Sequence, residues 1–229
     1  MRQSNFCFGR VATILAALTF SLSCCAVAQS APDPAAHALA QRVDRHYNQL
    51  HSLRANFTED YQGLGVRKSG SGTLQLLKPG RMRWDYTAPS NKLFLIDGKY
   101  AWFYVAGSAQ VQRMSAKELD DLRSPLRFLL GHTELEKELS ELHLAGSGNE
   151  PGKQTLVGVP KGQENRVHSV SLQIASASGA ILGIDIEETD GAVTRFTFSG
   201  EEPNAPVSAD AFHFTPPAGV SVIDALPPV

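Results

Sequence analysis

Residues 72–105, GTLQLLKPGRMRWDYTAPSNKLFLIDGKYAWFYV, decide the fold of this chain of 229 residues. The segment reads as four short β-strands. Turns are predicted at Lys78-Pro79-Gly80, at residues 88–91 and at Asp97-Gly98, and the last of these is a strong hairpin signal. Short links of this kind join antiparallel neighbours, so the segment predicts a small antiparallel sheet.

Large apolar side chains are concentrated in this segment, which holds both tryptophans and three of the five tyrosines. Met82, Trp84 and Tyr86 alternate with charged residues and therefore share one face of a strand. Such a face is either an ordinary core or a surface that holds an apolar ligand. Taken alone, the composition favours the core, because aromatic residues are highly buried on average.

The chain before this segment predicts a helix and a strand. Residues 35–50 carry apolar side chains at helical spacing, with Asp33 as the N-cap and Pro34 at the first helical position. Leu53, Ala55 and Phe57 then alternate with polar residues, as in a strand with one buried face. Glycine-rich and polar residues at 63–70 predict a turn.

After the segment, the pattern changes to helical and then returns to strands. A strand at 109–114 is followed by predicted helices at 115–122, 126–130 and 134–142, and then by strands at 154–159, 167–174, 181–187 and 193–199. The order predicts an α+β domain with a single curved antiparallel sheet. A sheet of about ten strands tends to curl, so we expect an incomplete β-barrel around helices.

The first 28 residues have the layout of a secretory signal peptide. Arg2 and Arg10 lie before an apolar run that begins at Val11, and an Ala-x-Ala site ends at Ala28. All three cysteines (Cys7, Cys24 and Cys25) lie in this leader, so residues 29–229 would contain no thiol, as suits an oxidising compartment. A lipoprotein signal needs Leu three residues before the cysteine and Gly, Ala or Ser directly before it. Cys24 lacks the leucine and Cys25 lacks the small residue.

Charge and motifs exclude several classes of function. The formal net charge is −2, without a basic block, which argues against nucleic acid as a partner and against docking on anionic headgroups by charge. The seven histidines are scattered without metal-ligand spacing, and no Gly-x-Ser-x-Gly elbow occurs. We expect no enzyme activity, cofactor or metal.

Several blocks together resemble the LolA family of periplasmic outer-membrane lipoprotein carriers. They are KPGRMRWDY (78–86) with Pro89, the later Asp97-Gly98 and Trp102-Phe103-Tyr104, Ser124-Pro125 with its apolar run, and FHFTPPAGV (212–220). The blocks occur in the right order and cover essentially the whole chain after the leader, so residues 29–229 would form one carrier domain.

The resemblance implies a half-open β-barrel with a helical lid over an apolar cavity. It further implies a monomeric periplasmic carrier that takes the acyl chains of lipoproteins from an ATP-driven inner-membrane transporter and delivers them to an outer-membrane receptor. A shield for acyl chains is also physically necessary, because leaving three long chains in water would cost tens of kcal/mol at about 0.8 kcal/mol per methylene.

The resemblance also suggests site residues. Family cavity positions fall on Met82 and Trp84, and lid positions fall on Leu129 and Leu130. The full predicted set comprises a cavity lining of Met82, Trp84, Tyr86, Trp102, Phe57 and Leu74, and a lid of Phe128, Leu129 and Leu130. The family's gate arginine falls on Lys78, which can donate hydrogen bonds but lacks the planar guanidinium fork.

Two alternatives remain from the sequence. One is the related outer-membrane receptor, which would need an acylated cysteine and, by family resemblance, an apolar protruding loop; the link at 87–91 is short and has no large apolar residue. The other is a periplasmic lipid-sensing or structural module that uses the fold without transporting cargo.

Overall fold

The computed structural model describes residues 33–88, 92–116, 132–146 and 150–224, most of which belong to one sheet of twelve strands. A 3₁₀ turn, Ala209–Phe212, lies near the end of the chain. The helices and strands in chain order are α1 (Pro34–Asn48), β1 (Ser52–Gly63), β2 (Val66–Leu77), β3 (Arg81–Ala88), β4 (Lys92–Asp97), β5 (Tyr100–Val105), β6 (Gln110–Ser115), α2 (Leu135–Glu138), β7 (Leu139–Leu144), β8 (Lys153–Pro160), β9 (Val167–Ala175), β10 (Ile181–Glu188), β11 (Val193–Pro203) and β12 (Ser221–Asp224).

The first helix begins where the sequence predicts. The Asp33 carboxylate accepts a hydrogen bond from the Ala35 amide, and a proline occupies the first turn. These two features satisfy one free amide and remove another at the helix start. The apolar residues at helical spacing are buried against the sheet, among them Leu39, Val43 and Tyr47.

The sheet is open and its strand order is β12-β6-β5-β4-β3-β2-β1-β11-β10-β9-β8-β7. Most neighbours are joined by short links, but β1 pairs with both β2 and the much later β11. The prediction of one curved sheet that does not close into a barrel is confirmed. One detail differs: β12 joins the edge strand β6 in parallel, because the chain returns along segment 205–220 before pairing.

The predicted turn at 63–70 is wrong in extent. The reversal uses only Leu64 and Gly65, and Gly63 already pairs with Val66. Arg67, Lys68 and Ser69 belong to β2 and are exposed. Their polarity resembles that of a turn because this end of the strand faces solvent on both sides.

The predicted helix at 134–142 is also wrong beyond its first turn. After α2 the chain becomes strand β7, which pairs with β8. A register shift between Ser140 and His143 interrupts the alternation of the strand. A side chain at Gly158 would meet both Leu139 and Leu142 at 3.1 Å, so the two leucines lie on one side. The irregularity therefore reproduces a spacing of three, which the sequence pattern attributes to a helix.

The two faces of the sheet carry separate clusters of buried side chains. The face that packs on α1, here the inner face, carries Phe57, Leu74, Met82 and Trp84. The opposite or outer face carries Leu95, Trp102 and Val111, and segment 205–220 covers it with Phe212 and Phe214.

Within the described residues, no helix has both the length and the apolar character needed to cross a membrane. The predicted lid helices at 115–122 and 126–130 lie almost entirely outside these residues.

Candidate functional site

Five aromatic rings on three strands form a continuous group on the inner face, called here the aromatic cluster: Phe57, Trp84, Tyr86, Phe196 and Phe198. The Phe57 ring meets Trp84 at 4.6 Å and Tyr86 at 4.8 Å between centroids, both edge-on. Trp84 lies 5.5 Å from Phe196 and 6.1 Å from Phe198. Edge-on contacts of this kind contribute about 0.5–1.5 kcal/mol each beyond burial.

A glycine in β2 allows two of these rings to touch. In the ladder, Gly72 lies between Phe57 of β1 and Tyr86 of β3. It contributes no side chain, so the two rings meet across it. The backbone is also close at this position, since a Cβ on Gly72 would come within 1.8 Å of the Asp85 carbonyl oxygen. No other residue fits there without a shift of the strand.

Four of the predicted lining residues lie together in the cluster under α1: Met82, Trp84, Phe57 and Leu74. Each is at most 3% exposed. Leu74 is the ladder partner of Trp84, so the two side chains are neighbours. Tyr86 lies at the margin of the same cluster and is half-buried. The structure thus brings together five of the six predicted lining residues.

Trp102 does not join them and must be removed from the predicted lining. It lies on the outer face, 5.5 Å from the Phe214 ring, and its indole Nε1 donates to Asp97 at 2.9 Å. The reason is the two-residue period of β5: Ala101 takes the inner position opposite Ile96, so Trp102 points the other way.

The sequence did not identify Phe196 and Phe198 as site residues. They are two apart on β11, which the alternation of that strand could have indicated. Their position beside Phe57 depends on the pairing of β1 with β11, in which Phe57 is opposite Phe198. A contact between strands so far apart in sequence has no local signal.

Polar groups surround Tyr86 at the edge of the aromatic cluster. Burial raises the pKa of the Tyr86 hydroxyl, and the nearby Glu59 carboxylate, which accepts its hydrogen bond, raises it further. The Lys92 ammonium lies 4.1 Å from the centroid of the same ring. The phenol is therefore neutral and fixed in orientation, with its apolar body toward the cluster.

The predicted gate residue Lys78 contacts α1. Its ammonium donates to the Tyr47 carbonyl at 2.8 Å, in the last turn of that helix. Burial lowers the pKa of Lys78. A cation at this end of a helix complements the helix dipole, and here it adds a further hydrogen bond to a carbonyl that also accepts from the Leu50 amide. The predicted lid residues Phe128, Leu129 and Leu130 lie outside the described residues.

Within residues 33–88, 92–116, 132–146 and 150–224, no group of three His, Asp or Glu side chains is placed to hold a metal ion. The aromatic cluster supplies apolar contact area bordered by a few fixed polar groups. Such a surface is suited to hydrocarbon chains.

Comparison with known proteins identifies the family of this chain. The family model described as outer membrane lipoprotein carrier protein LolA matches residues 48–215. The chain is 29% identical over 202 residues to the outer-membrane lipoprotein carrier protein of Chromobacterium violaceum, covering 88% of this chain and 95% of that protein. It is 32% identical over 176 residues to the carrier protein of Nitrosospira multiformis, covering 75% of this chain and 82% of that one.

A solved structure supports the fold alone. An uncharacterized conserved protein from Thermus thermophilus has a TM-score of 0.55 at 14% identity, with 83% of this chain and 99% of that chain covered. The family model spans more than half of the chain. The chain therefore belongs to the LolA family of outer-membrane lipoprotein carrier proteins.

Proposed function

We propose that this protein carries lipoproteins across the periplasm by holding their acyl chains against the inner face of its sheet. One observation carries the proposal: a cluster of aromatic rings, half-buried at Tyr86 and Phe198, lies on the face that packs on α1, in a chain of the carrier family. Cargo would come from an ATP-driven inner-membrane transporter and pass to an outer-membrane receptor, with the leader removed after Ala28.

The energetics favour an apolar surface of this kind. Each methylene withdrawn from water contributes roughly 0.8 kcal/mol, so even one long acyl chain gains about 10 kcal/mol by binding to aromatic and aliphatic side chains. The rings make T-shaped or tilted contacts. Such contacts can re-form around a chain without loss of hydrogen bonds, which allows both uptake and release.

Entry of cargo requires a change of the cover over this face. Phe57 and Trp84 are at most 3% exposed, so chains cannot reach them while the inner face is closed. We propose that the apolar segment with Phe128, Leu129 and Leu130 is the part that opens. Lys78 would act on this step only indirectly, by fixing the end of α1 through Tyr47.

Site-specific photo-crosslinking tests the proposal. Benzoyl-phenylalanine replaces Phe198 on the inner face or, as a matched control, Phe214 on the outer face; both phenylalanines are half-buried. After incubation with inner-membrane vesicles and ATP, we expect a lipoprotein adduct at position 198 and none at 214. An adduct at 214 alone, or equal adducts at both, would contradict the assignment of the inner face.

The receptor alternative is tested by mass spectrometry of the exported protein. A mature N-terminus at Gln29 without acylation supports the carrier. An acylated Cys24 or Cys25 would instead assign the chain to the receptor branch.

A further inference from the structure

The tip of the hairpin between β1 and β2 exposes apolar side chains to solvent. Leu64 is 81% exposed and Val66 is 46% exposed. Apart from Val222, they are the only large hydrophobic residues that are exposed in the described part of the chain. The hairpin tip is defined here as residues 64–68, which reads LGVRK.

The backbone conformation at this tip is unfavourable for the leucine at position 64. Leu64 has a φ of +50° and Gly65 a φ of +76°. Two successive residues in the left-handed region form a turn that favours Asn-Gly, because asparagine tolerates positive φ and leucine does not. Leucine here has both an unfavourable backbone and an exposed apolar side chain. A residue that departs both from the preference of its turn and from the usual polarity of an exposed position indicates a functional constraint.

The tip also extends past the paired part of β3. The last ladder pair between β2 and β3 is Ser71 with Ala88, and the last between β1 and β11 is Gln62 with Val193. Leu64 therefore lies well past the end of the β3 pairing; on the other side the chain just before β11 runs alongside, since a Cβ on Gly63 would meet Ala192 at 2.5 Å. From the end of the β3 pairing to the tip, the hairpin extends by about 15–20 Å at 3.4 Å per residue.

Two cations accompany the apolar tip. Arg67 and Lys68 are exposed, and no ion pair with either is found among the described residues. Lys68 lies 5.9 Å from the Tyr61 ring on the same face. The nearby Asp60 carboxylate accepts a hydrogen bond from Ser69. Apolar, basic and aromatic side chains at one projecting point are typical of groups that sit at a bilayer interface.

We propose that the hairpin tip touches the surface of a phospholipid bilayer with anionic headgroups. Leu64 and Val66 would enter the interface, while Arg67 and Lys68 would contact phosphates. The tip is much smaller than the roughly 800 Å² per partner of a specific protein interface, which favours a bilayer over a protein. The whole chain has a net charge of −2, so its overall charge does not draw it to anionic headgroups; the contact rests on the apolar pair with local help from the two cations and is weak and reversible.

This inference does not depend on the proposed cargo, so protein-free vesicles can test it. The chain has three cysteines, all in the leader. The protein is exported from the full-length chain, and mass spectrometry verifies the mature N-terminus. Leu64→Cys and, as control, Val222→Cys are each labelled with an environment-sensitive fluorophore. With vesicles of phosphatidylcholine and phosphatidylglycerol, we expect a blue-shifted, stronger emission at position 64 and no change at 222.

A second variant separates the membrane contact from folding. Leu64→Asn supplies the residue that the turn prefers, so its melting temperature should equal or exceed that of the wild type. In vesicle flotation it should bind anionic lipid about tenfold more weakly, which corresponds to the loss of one partly inserted leucine. Val222→Asn should float like the wild type, and pure phosphatidylcholine should recover less of every protein.

Several outcomes would overturn the proposal. Emission from position 64 that is unchanged at the highest lipid concentration excludes bilayer contact. Equal changes at 64 and 222 indicate that the fluorophore itself drives binding. A response at 64 only with vesicles that contain inner-membrane proteins assigns the tip to a protein partner instead.

Discussion

The two tryptophans lie on opposite faces of one sheet in different kinds of environment. Trp84 on the inner face contacts rings from two other strands, Phe57 of β1 and Phe196 and Phe198 of β11. Trp102 on the outer face is held by a hydrogen bond to Asp97 and covered by Phe214. Aromatic content alone therefore does not identify a binding surface. What distinguishes the faces is the cover: segment 205–220 lies over the outer face, whereas α1 lies over the inner face that carries the aromatic cluster.

The outer face is closed by specific hydrogen bonds to segment 205–220. The Arg83 guanidinium donates to the Ala211 carbonyl at 2.7 Å and also pairs with Asp85. The Ser52 hydroxyl donates to the Ala205 carbonyl at 2.6 Å. These contacts fix the cover at two points. They support a structural role for the outer cluster, and the inner aromatic cluster remains the proposed binding surface.

Removal of Trp102 should have the largest effect on stability. Trp102→Ala leaves a cavity among Leu95, Val111 and Phe212 and removes a partner of Asp97. We expect a loss of about 3–5 kcal/mol in the free energy of unfolding. Urea denaturation followed by circular dichroism measures it. Lipoprotein uptake per folded molecule should not change; a selective loss of uptake would show that the outer face takes part in binding.

Phe198 and Phe214 allow a more direct comparison of the two faces, with a smaller loss in the free energy of unfolding. Phe198→Ala and Phe214→Ala each remove a half-buried ring, so we expect each to lower the free energy of unfolding by about 2–3 kcal/mol. Only Phe198→Ala should reduce uptake in a transfer assay from inner-membrane vesicles, by about tenfold for a weakened contact of 1.4 kcal/mol. Equal uptake by the two variants at matched folded concentration would remove the distinction between the faces.

Much of the fold follows from local patterns. The cap by Asp33, the alternation along β3 and the Asp97-Gly98 turn are each determined by neighbours in sequence, and the structure confirms them. The irregular strand β7 resembles a helix in sequence because its leucine spacing satisfies both patterns. The short stretch at 67–69 resembles a turn because an exposed strand end has the same polarity as a turn.

The candidate site was less predictable, because it depends on register. A shift of one residue moves a side chain to the other face of a sheet. The observed register therefore places Trp84 on the predicted inner face and Trp102 on the outer face. Phe196 and Phe198 reach the cluster only through the pairing of β1 with β11. That pairing depends on the whole strand order and has no signature near either strand.

The role of Lys78 can be separated into two effects. Lys78→Met keeps the chain length but loses the hydrogen bond to the Tyr47 carbonyl, so we expect a decrease of about 1–2 kcal/mol in the free energy of unfolding. Lys78→Arg is the matched control and should retain most of the stability. If transfer falls in Lys78→Met beyond the loss of folded protein, Lys78 also controls opening, and the inner face is gated through α1.

The smallest expected effect is on the pH dependence of the free energy of unfolding, through Asp97 on the outer face. Burial tends to raise the pKa of Asp97, but hydrogen bonds from the Trp102 indole and from the Tyr100 and Lys99 amides outweigh it, so the pKa is lowered. A carboxylate with a lowered folded pKa stabilises the protein above its unfolded pKa. That stabilisation is lost as pH falls below the ordinary value of 3.8 toward the folded pKa.

Asp97→Asn removes this titration. At neutral pH we expect it to cost about 0.5–1 kcal/mol, a small value because the carboxylate is partly exposed and screened by solvent. The difference from the wild type should shrink as pH falls from about 5 to 3, as urea denaturation at several pH values can measure. Trp102→Phe loses the indole donor but keeps the amides of Lys99 and Tyr100, so it should retain most of the pH dependence. Parallel stability curves for wild type and Asp97→Asn would show that the Asp97 charge does not help to close the outer face.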